Sequence, residues 1–286
     1  MSKLVWLASY PKSGNTWFRV FLANLQSNAA APADINRLTA YPIASSRTLF
    51  DEATGIAAAD LTHDEIEKLR PQVYEHIAAR ATEVQFMKIH DAYTLTADGE
   101  PLVSRRAATK AIYFIRNPLD VAVSFAHHSA REVDRVIAQM ADEQMDLSTK
   151  PGRLHLQLRQ ILSSWRRHVL SWVEAPELCV QVVRYEDMKK WPLETFSAAV
   201  RFAGLPHGTE QIQRALAFST FEEMQRQEQS HGFSEKQPEA TTFFRSGKSG
   251  GWRSVLTPPQ VERILRDQGD VMRHFGYLNA NGEVVD

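Results

Sequence analysis

With a single cysteine among 286 residues, Cys179 has nothing to pair with inside the chain, which excludes a disulfide framework and points to a reducing compartment. Long apolar runs are missing as well. None approaches the roughly 20 residues that cross a bilayer. The first segment, MSKLVWLASYPKSGNTW, has only about five apolar residues before Ser9 and Tyr10, too few for a signal-peptide core. A cytoplasmic protein without a membrane partner is expected. Charge of one sign is not in excess either: 33 Lys and Arg stand against 34 Asp and Glu, so no overall basic field draws nucleic acid. Any anion site must be local. The ten histidines show neither H-E-x-x-H nor Cys/His ligand spacing, and neighbours His127 and His128 point about 100° apart on a helix, so no metal site is expected. Repeats and low-complexity tracts are lacking.

What is present alternates between strand and helix. Residues 4–9 form a short apolar run, residues 11–15 a glycine-containing turn, and residues 16–25 a helical segment. Residues 28–60 read as irregular. A helix then opens at Thr62, whose side chain can cap it, with Glu65 three residues on. Residues 84–90 and 111–116 are the second and third strands. Asn117, Pro118 and Asp120 supply a cap, a first-turn proline and a first-turn acid for a helix to about Ala130. Residues 131–152 are polar and without steady period, as in a mobile excursion or lid. Helical spacing returns over 154–173, a fourth strand spans 178–185, and a helix follows to near Gly204. Strands separated by helices define an α/β fold, read as one domain over residues 1–286: a central parallel sheet flanked by helices, with the ligand crevice beyond the strands' carboxyl ends.

The segment Ser9-Tyr10-Pro11-Lys12-Ser13-Gly14-Asn15-Thr16-Trp17 puts backbone N–H groups, a lysine and hydroxyls at a helix start, where a phosphate fits. Against G-x-x-x-x-G-K-[ST], Gly14 and Thr16 keep their places, Ser9 replaces the first glycine and Asn15 the lysine, which has moved three positions earlier to Lys12. A P-loop kinase or nucleotide triphosphatase is therefore opposed by Asn15, and by a third strand that ends in Arg116 rather than a metal-binding aspartate. The segment resembles the 5′-phosphosulfate loop of cytosolic-type sulfotransferases that use 3′-phosphoadenylyl sulfate. Arg116 with Ser124, eight residues on, is similar to that family's 3′-phosphate signature, and a guanidinium offers a phosphate two parallel N–H bonds. Arg245-Ser246-Gly247-Lys248-Ser249-Gly250-Gly251-Trp252-Arg253 resembles its R-K-G-x-x-G-D-W-K element, with Ser246 in place of the lysine, Gly251 in place of the aspartate, and Lys248 a possible substitute. Tyr185, Ser219 and Phe221 match positions whose family counterparts contact adenine. The family's C-terminal dimerisation motif, K-x-x-x-T-V-x-x-x-E, is not visible.

Along residues 84–90, side chains two apart share a strand face, so Lys88 and His90 project together near the carboxyl end. This resembles the family's K-x-H, which implies His90 as general base. An unperturbed imidazole is neutral and proton-accepting at cytoplasmic pH. The resemblance implies direct in-line transfer of a sulfuryl group to the hydroxyl of a small-molecule or natural-product acceptor. Lys12 and the loop amides would stabilise the 3′,5′-ADP leaving group, Lys88 the sulfuryl oxygens, and no metal is required. Residues 28–60 and 131–152 would shape the acceptor pocket. A non-enzymatic module that senses 3′,5′-ADP is the alternative. Trp17, Trp165, Trp172 and Trp191 read as core or helix-face aromatics, and Arg159, Arg166 and Arg167 as one solvated helix face.

Overall fold

A strand fully covered on both faces has no polar side to alternate with, and LVWLAS fits that environment: β1 (Leu4–Ser9) is buried at all 6 positions. The computed structural model describes residues 3–38, 42–149, 155–176, 178–238 and 240–285. After β1 come α1 (Asn15–Ser27), α2 (Arg47–Thr54), α3 (His63–Arg80), β2 (Gln85–Ile89), β3 (Lys110–Ile115), α4 (Pro118–Ser129) and α5 (Val133–Ala141). The two-residue strands β4 (Asp146–Leu147) and β5 (Gln160–Ile161), then α6 (Trp165–Val173) and β6 (Cys179–Arg184), lead to α7 (Tyr185–Lys190), α8 (Pro192–Ala203), α9 (Thr209–Ala217), α10 (Phe221–His231) and α11 (Pro258–His274).

The main sheet has the order β2-β1-β3-β6, and both β2 and β3 run parallel to β1. The chain steps to one side of β1 for β2 and to the other for β3, the reversal of strand order at which open α/β sheets as a class place their ligands. Ser9 closes β1 there, and Arg116 follows β3. On one face Trp6 of β1 meets Tyr74 of α3 edge-on, with centroids 5.0 Å apart. Residue contacts group the chain into two units. The first comprises Met1–Tyr10, Ala40–Phe114 and Asp142–Val182, and the second Pro11–Thr39, Ile115–Ala141 and Val183–Asp286. The first carries nearly all of the main sheet with α2, α3 and α6. In the second, α4 and α5 pack with α11, and α1 and α8 with α9.

Several expectations need correction. Residues 28–60 contain α2, capped by Ser46 through Leu49 N, and a 3-10 turn at Ala58–Asp60; residues 39–41 lie outside the described residues. The expected lid contains α5, whose Val136, Ile137 and Met140 are buried; residues 150–152 again lie outside the described set. Helical spacing over 154–173 holds only from Trp165, because Ser163 takes a left-handed backbone, φ 58°, and Ser164 caps the helix by accepting from Arg167 N. Leu154 is not among the described residues. The helix expected through Gly204 is two, α7 and α8, parted at Pro192, which has no N–H to continue the first. Arg159 is not on a helix with Arg166 and Arg167 but bonds Glu67 at 2.8 Å and Asp64 at 3.1 Å.

Candidate active site

Within the second unit, Lys12 has φ 71° and Gly14 φ 101°, and these left-handed residues turn the chain into α1 with Gly14 at its N-cap. No acidic side chain occupies the first turn of α1, so the amides of Asn15, Thr16 and Trp17 carry the helix's positive end unneutralised. Only glycine suits position 14: a Cβ would lie 2.9 Å from Cδ2 of Tyr185. The other side of the loop is built by Arg116. Its Nη1 donates to the Lys12 carbonyl at 3.1 Å, its Nη2 to the Lys248 carbonyl at 3.0 Å, and its guanidinium lies 4.3 Å from the Tyr185 ring centre. Arg116 therefore ties the loop to the 245–253 segment.

That segment is held by Asp120. The carboxylate accepts from Gly250 N at 2.8 Å and Trp252 N at 3.1 Å, so it clamps a loop instead of pairing with Arg116. Gly247, φ 59°, lies against Phe221 so closely that a Cβ would meet the ring at 2.4 Å. Lys12 Nζ sits 3.9 Å above the Phe243 ring, and Trp17 packs edge-on to Tyr185 and Phe196. Ser124 is half-buried on α4, whereas Arg245 and Ser246 are exposed. Ser219 is fully buried and donates its hydroxyl to the Ala215 carbonyl, so it braces the end of α9.

Two polar atoms bear on what this set can hold. Ser13 Oγ and Arg116 Nε are buried and have no hydrogen-bond partner. A buried donor without an acceptor costs roughly 1–3 kcal/mol, and phosphate oxygens would satisfy both. The loop amides, Lys12, Ser13 and Arg116 thus fit phosphate groups in charge and in donor count. Among the described residues no three His, Cys, Asp or Glu side chains gather as a metal site would require.

Within the first unit, β2 pairs Lys88 with Leu7, and Lys88 and His90 share the face opposite Trp6 and Met87. Lys88 is half-buried and its carbonyl accepts from Ala44 N. His90 follows directly on β2. Its Nδ1 lies 2.8 Å from the Ser9 carbonyl oxygen and 3.3 Å from Ser9 Oγ. A carbonyl can only accept, so Nδ1 carries the proton and Nε2 is the basic nitrogen of the ring.

Sequence patterns did not mark what surrounds His90. The Asp91 carboxylate is fully buried against Arg70, with both guanidinium contacts at 2.9 Å, and Trp172 Nε1 donates to the Asp91 carbonyl. His168 Nε2 contacts the His90 carbonyl at 2.9 Å and its Nδ1 the Tyr113 hydroxyl at 2.8 Å. Burial pushes the His168 imidazole down to about 4, so it is neutral near pH 7. A histidine within the apolar stripe of Trp165, Val169 and Trp172 was the available signal, since such a position demands partners for both ring nitrogens.

A parallel sheet with a glycine-containing turn after its first strand and an arginine after its third defines an α/β protein of the P-loop-like kind. The sulfotransferase domain model matches residues 2–276, and the chain belongs to that family. Membership sets aside the kinase and triphosphatase reading. The chain is 27% identical to the flavonol 3-sulfotransferase of Flaveria bidentis, over 91% of this chain and 78% of that protein. It is also 27% identical to sulfotransferase 2A6 of Rattus norvegicus, over 90% of this chain and 80% of that one. Among solved structures, mouse sulfotransferase SULT7A1 complexed with PAP superposes with a TM-score of 0.57 at 19% identity, covering 95% of this chain and 86% of the other. Retinol dehydratase in complex with androsterone and the inactive cofactor PAP gives 0.61 at 20%, covering 95% and 81%. These two likenesses bear on the fold.

Proposed function

We propose that this sulfotransferase moves a sulfuryl group from 3′-phosphoadenylyl sulfate to the hydroxyl of a small-molecule acceptor by direct in-line transfer, with His90 as general base. The observation that carries this reading is the His90 Nδ1 contact to the Ser9 carbonyl. It commits the ring to one tautomer and leaves Nε2 as proton acceptor, which a module that merely binds nucleotide does not need. In this reading His90 takes the acceptor's proton as its oxygen attacks sulfur, the bond from sulfur to the bridging phosphate oxygen breaks, and 3′,5′-ADP leaves. Lys12 and the amides at the start of α1 stabilise the charge that grows on that oxygen, and Lys88 steadies the sulfuryl oxygens. Ser13, Gly14, Asn15, Thr16 and Trp17 line the 5′ side. Arg116 and Ser124, with the 245–247 segment, serve the 3′-phosphate, and Tyr185 and Phe221 the base. Ser219 supports that wall through α9. The PAP complexes of the two neighbours and the flavonol named for one relative are consistent with this donor and with a hydroxylated organic acceptor.

The test is a panel of phenols, flavonols, steroids and simple alcohols screened with labelled sulfate donor, in wild type and His90→Gln. Turnover should fall by about 10²–10⁴ in the variant, the usual contribution of a general base, while calorimetry gives an unchanged dissociation constant for 3′,5′-ADP. Turnover surviving in His90→Gln would remove His90 as base.

A further inference from the structure

His90 does not hold its own orientation. Its carbonyl can only accept, so His168 Nε2 donates to it at 2.9 Å, and His168 Nδ1 must then accept from the Tyr113 hydroxyl at 2.8 Å. The Tyr113 oxygen in turn receives the backbone amide of Tyr10. His90 Nδ1 donates to the carbonyl of Ser9. The Ser9 carbonyl and the Tyr10 N–H are two ends of one peptide group. The bonds therefore close into a circuit: the 9–10 peptide N–H to Tyr113, Tyr113 to His168, His168 to the His90 carbonyl, and the His90 ring back to the 9–10 peptide carbonyl. Every donor points the same way round, an arrangement in which each bond polarises the next. Tyr113 and His168 are fully buried, so water does not compete for these bonds. The carboxylate of the following residue, Asp91, is locked by Arg70, and its carbonyl by Trp172.

We infer that His168 is the positioning residue of the base: held as the Nε2–H tautomer by Tyr113, it fixes the backbone at His90 so that the His90 ring reaches the Ser9 carbonyl and presents Nε2. The circuit rests on the reading of His90 as base, but its geometry can be tested without turnover. It also anchors the peptide group from which the phosphate-binding turn departs.

The experiment compares His168→Leu with His168→Gln. Glutamine keeps one donor and one acceptor in a side chain close to leucine in size, so a role in packing alone treats the two alike. The circuit requires His168→Leu to lose about tenfold to a hundredfold in kcat, because the His90 carbonyl is left without its donor, with the KM for the nucleotide donor unchanged. His168→Gln should recover most of that loss. Nitrogen NMR on histidine-labelled protein at pH 7.5 reads the His90 ring directly: one Nδ1–H tautomer in wild type and His168→Gln, a mixture in His168→Leu. Tyr113→Phe, which keeps the ring and removes only the hydroxyl, should cost about fivefold in kcat and covers the case where His168→Leu does not fold. Equal kcat in the leucine and glutamine variants, or an undisturbed His90 tautomer in both His168→Leu and Tyr113→Phe, overturns the inference. Because the tautomer is read on the resting protein, that result stands apart from the His90→Gln turnover test of the base itself.

Discussion

Two residues in and beside the turn after β1 adopt backbone that their neighbours must enforce. Lys12 at φ 71° is strained where glycine would not be, at a cost of order 1 kcal/mol or more, yet a glycine there would remove the ammonium. Gly247 shows the reverse case. A methyl group at 247 meets Phe221 at 2.4 Å and sits at φ 59°, so neither the ring nor the backbone can keep its place. Gly247→Ala should lower the affinity for 3′,5′-ADP about tenfold and reduce thermal stability by roughly 1–2 kcal/mol, read by calorimetry and by a melting curve. Wild-type affinity in that variant would show that Phe221 has no part in binding the nucleotide.

At the level of elements, α4 matters for what it restrains. Asn117 caps it, its own N–H is held by buried Glu186 at 3.0 Å, and Glu186 also receives the Tyr277 hydroxyl at 3.0 Å. Burial raises the Glu186 carboxyl above the usual range, against these hydrogen bonds. One turn on, Asp120 grips two amides of the 250–252 segment. Asp120→Asn keeps one acceptor and turns an NH₂ toward the other amide. The loss of a charged hydrogen bond, about 1.5–3 kcal/mol, should weaken 3′,5′-ADP binding roughly tenfold or more in calorimetry while kcat changes little. Much of this was legible in advance because its signals are local. Asn117 and Pro118 mark the start of α4, and Thr62 and Glu65 form the full capping box of α3. The turn and helix start that carry the candidate residues Lys12 through Trp17 were legible for the same reason. Apolar residues at 154–162 imitated helical period, but Gln160–Ile161 form β5, and the left-handed Ser163 and the cap Ser164 precede α6. His168 and Arg70 were hidden differently. Their partners lie 78 and 21 residues away, and neither distance leaves a trace in local pattern.

For the molecule as a whole, the buried neutral His168 sets an acid limit. Its folded value, about 4, lies below the roughly 6.5 of an unfolded histidine, so between those values the unfolded chain binds a proton that the folded one does not. Its contribution is therefore constant above about pH 7 and lost as pH falls from 6.5 toward 4, by roughly 3 kcal/mol in all. Denaturant midpoints at pH 7.5 and 5.0 should differ more in wild type than in His168→Gln, which has nothing to titrate there. Equal differences would mean that other groups govern the acid side. The lone Cys179, exposed where β6 begins, has a practical corollary. A maleimide dye would attach at one defined spot with a stoichiometry of one, giving fluorescence experiments a fixed reporter without any prior removal of competing thiols.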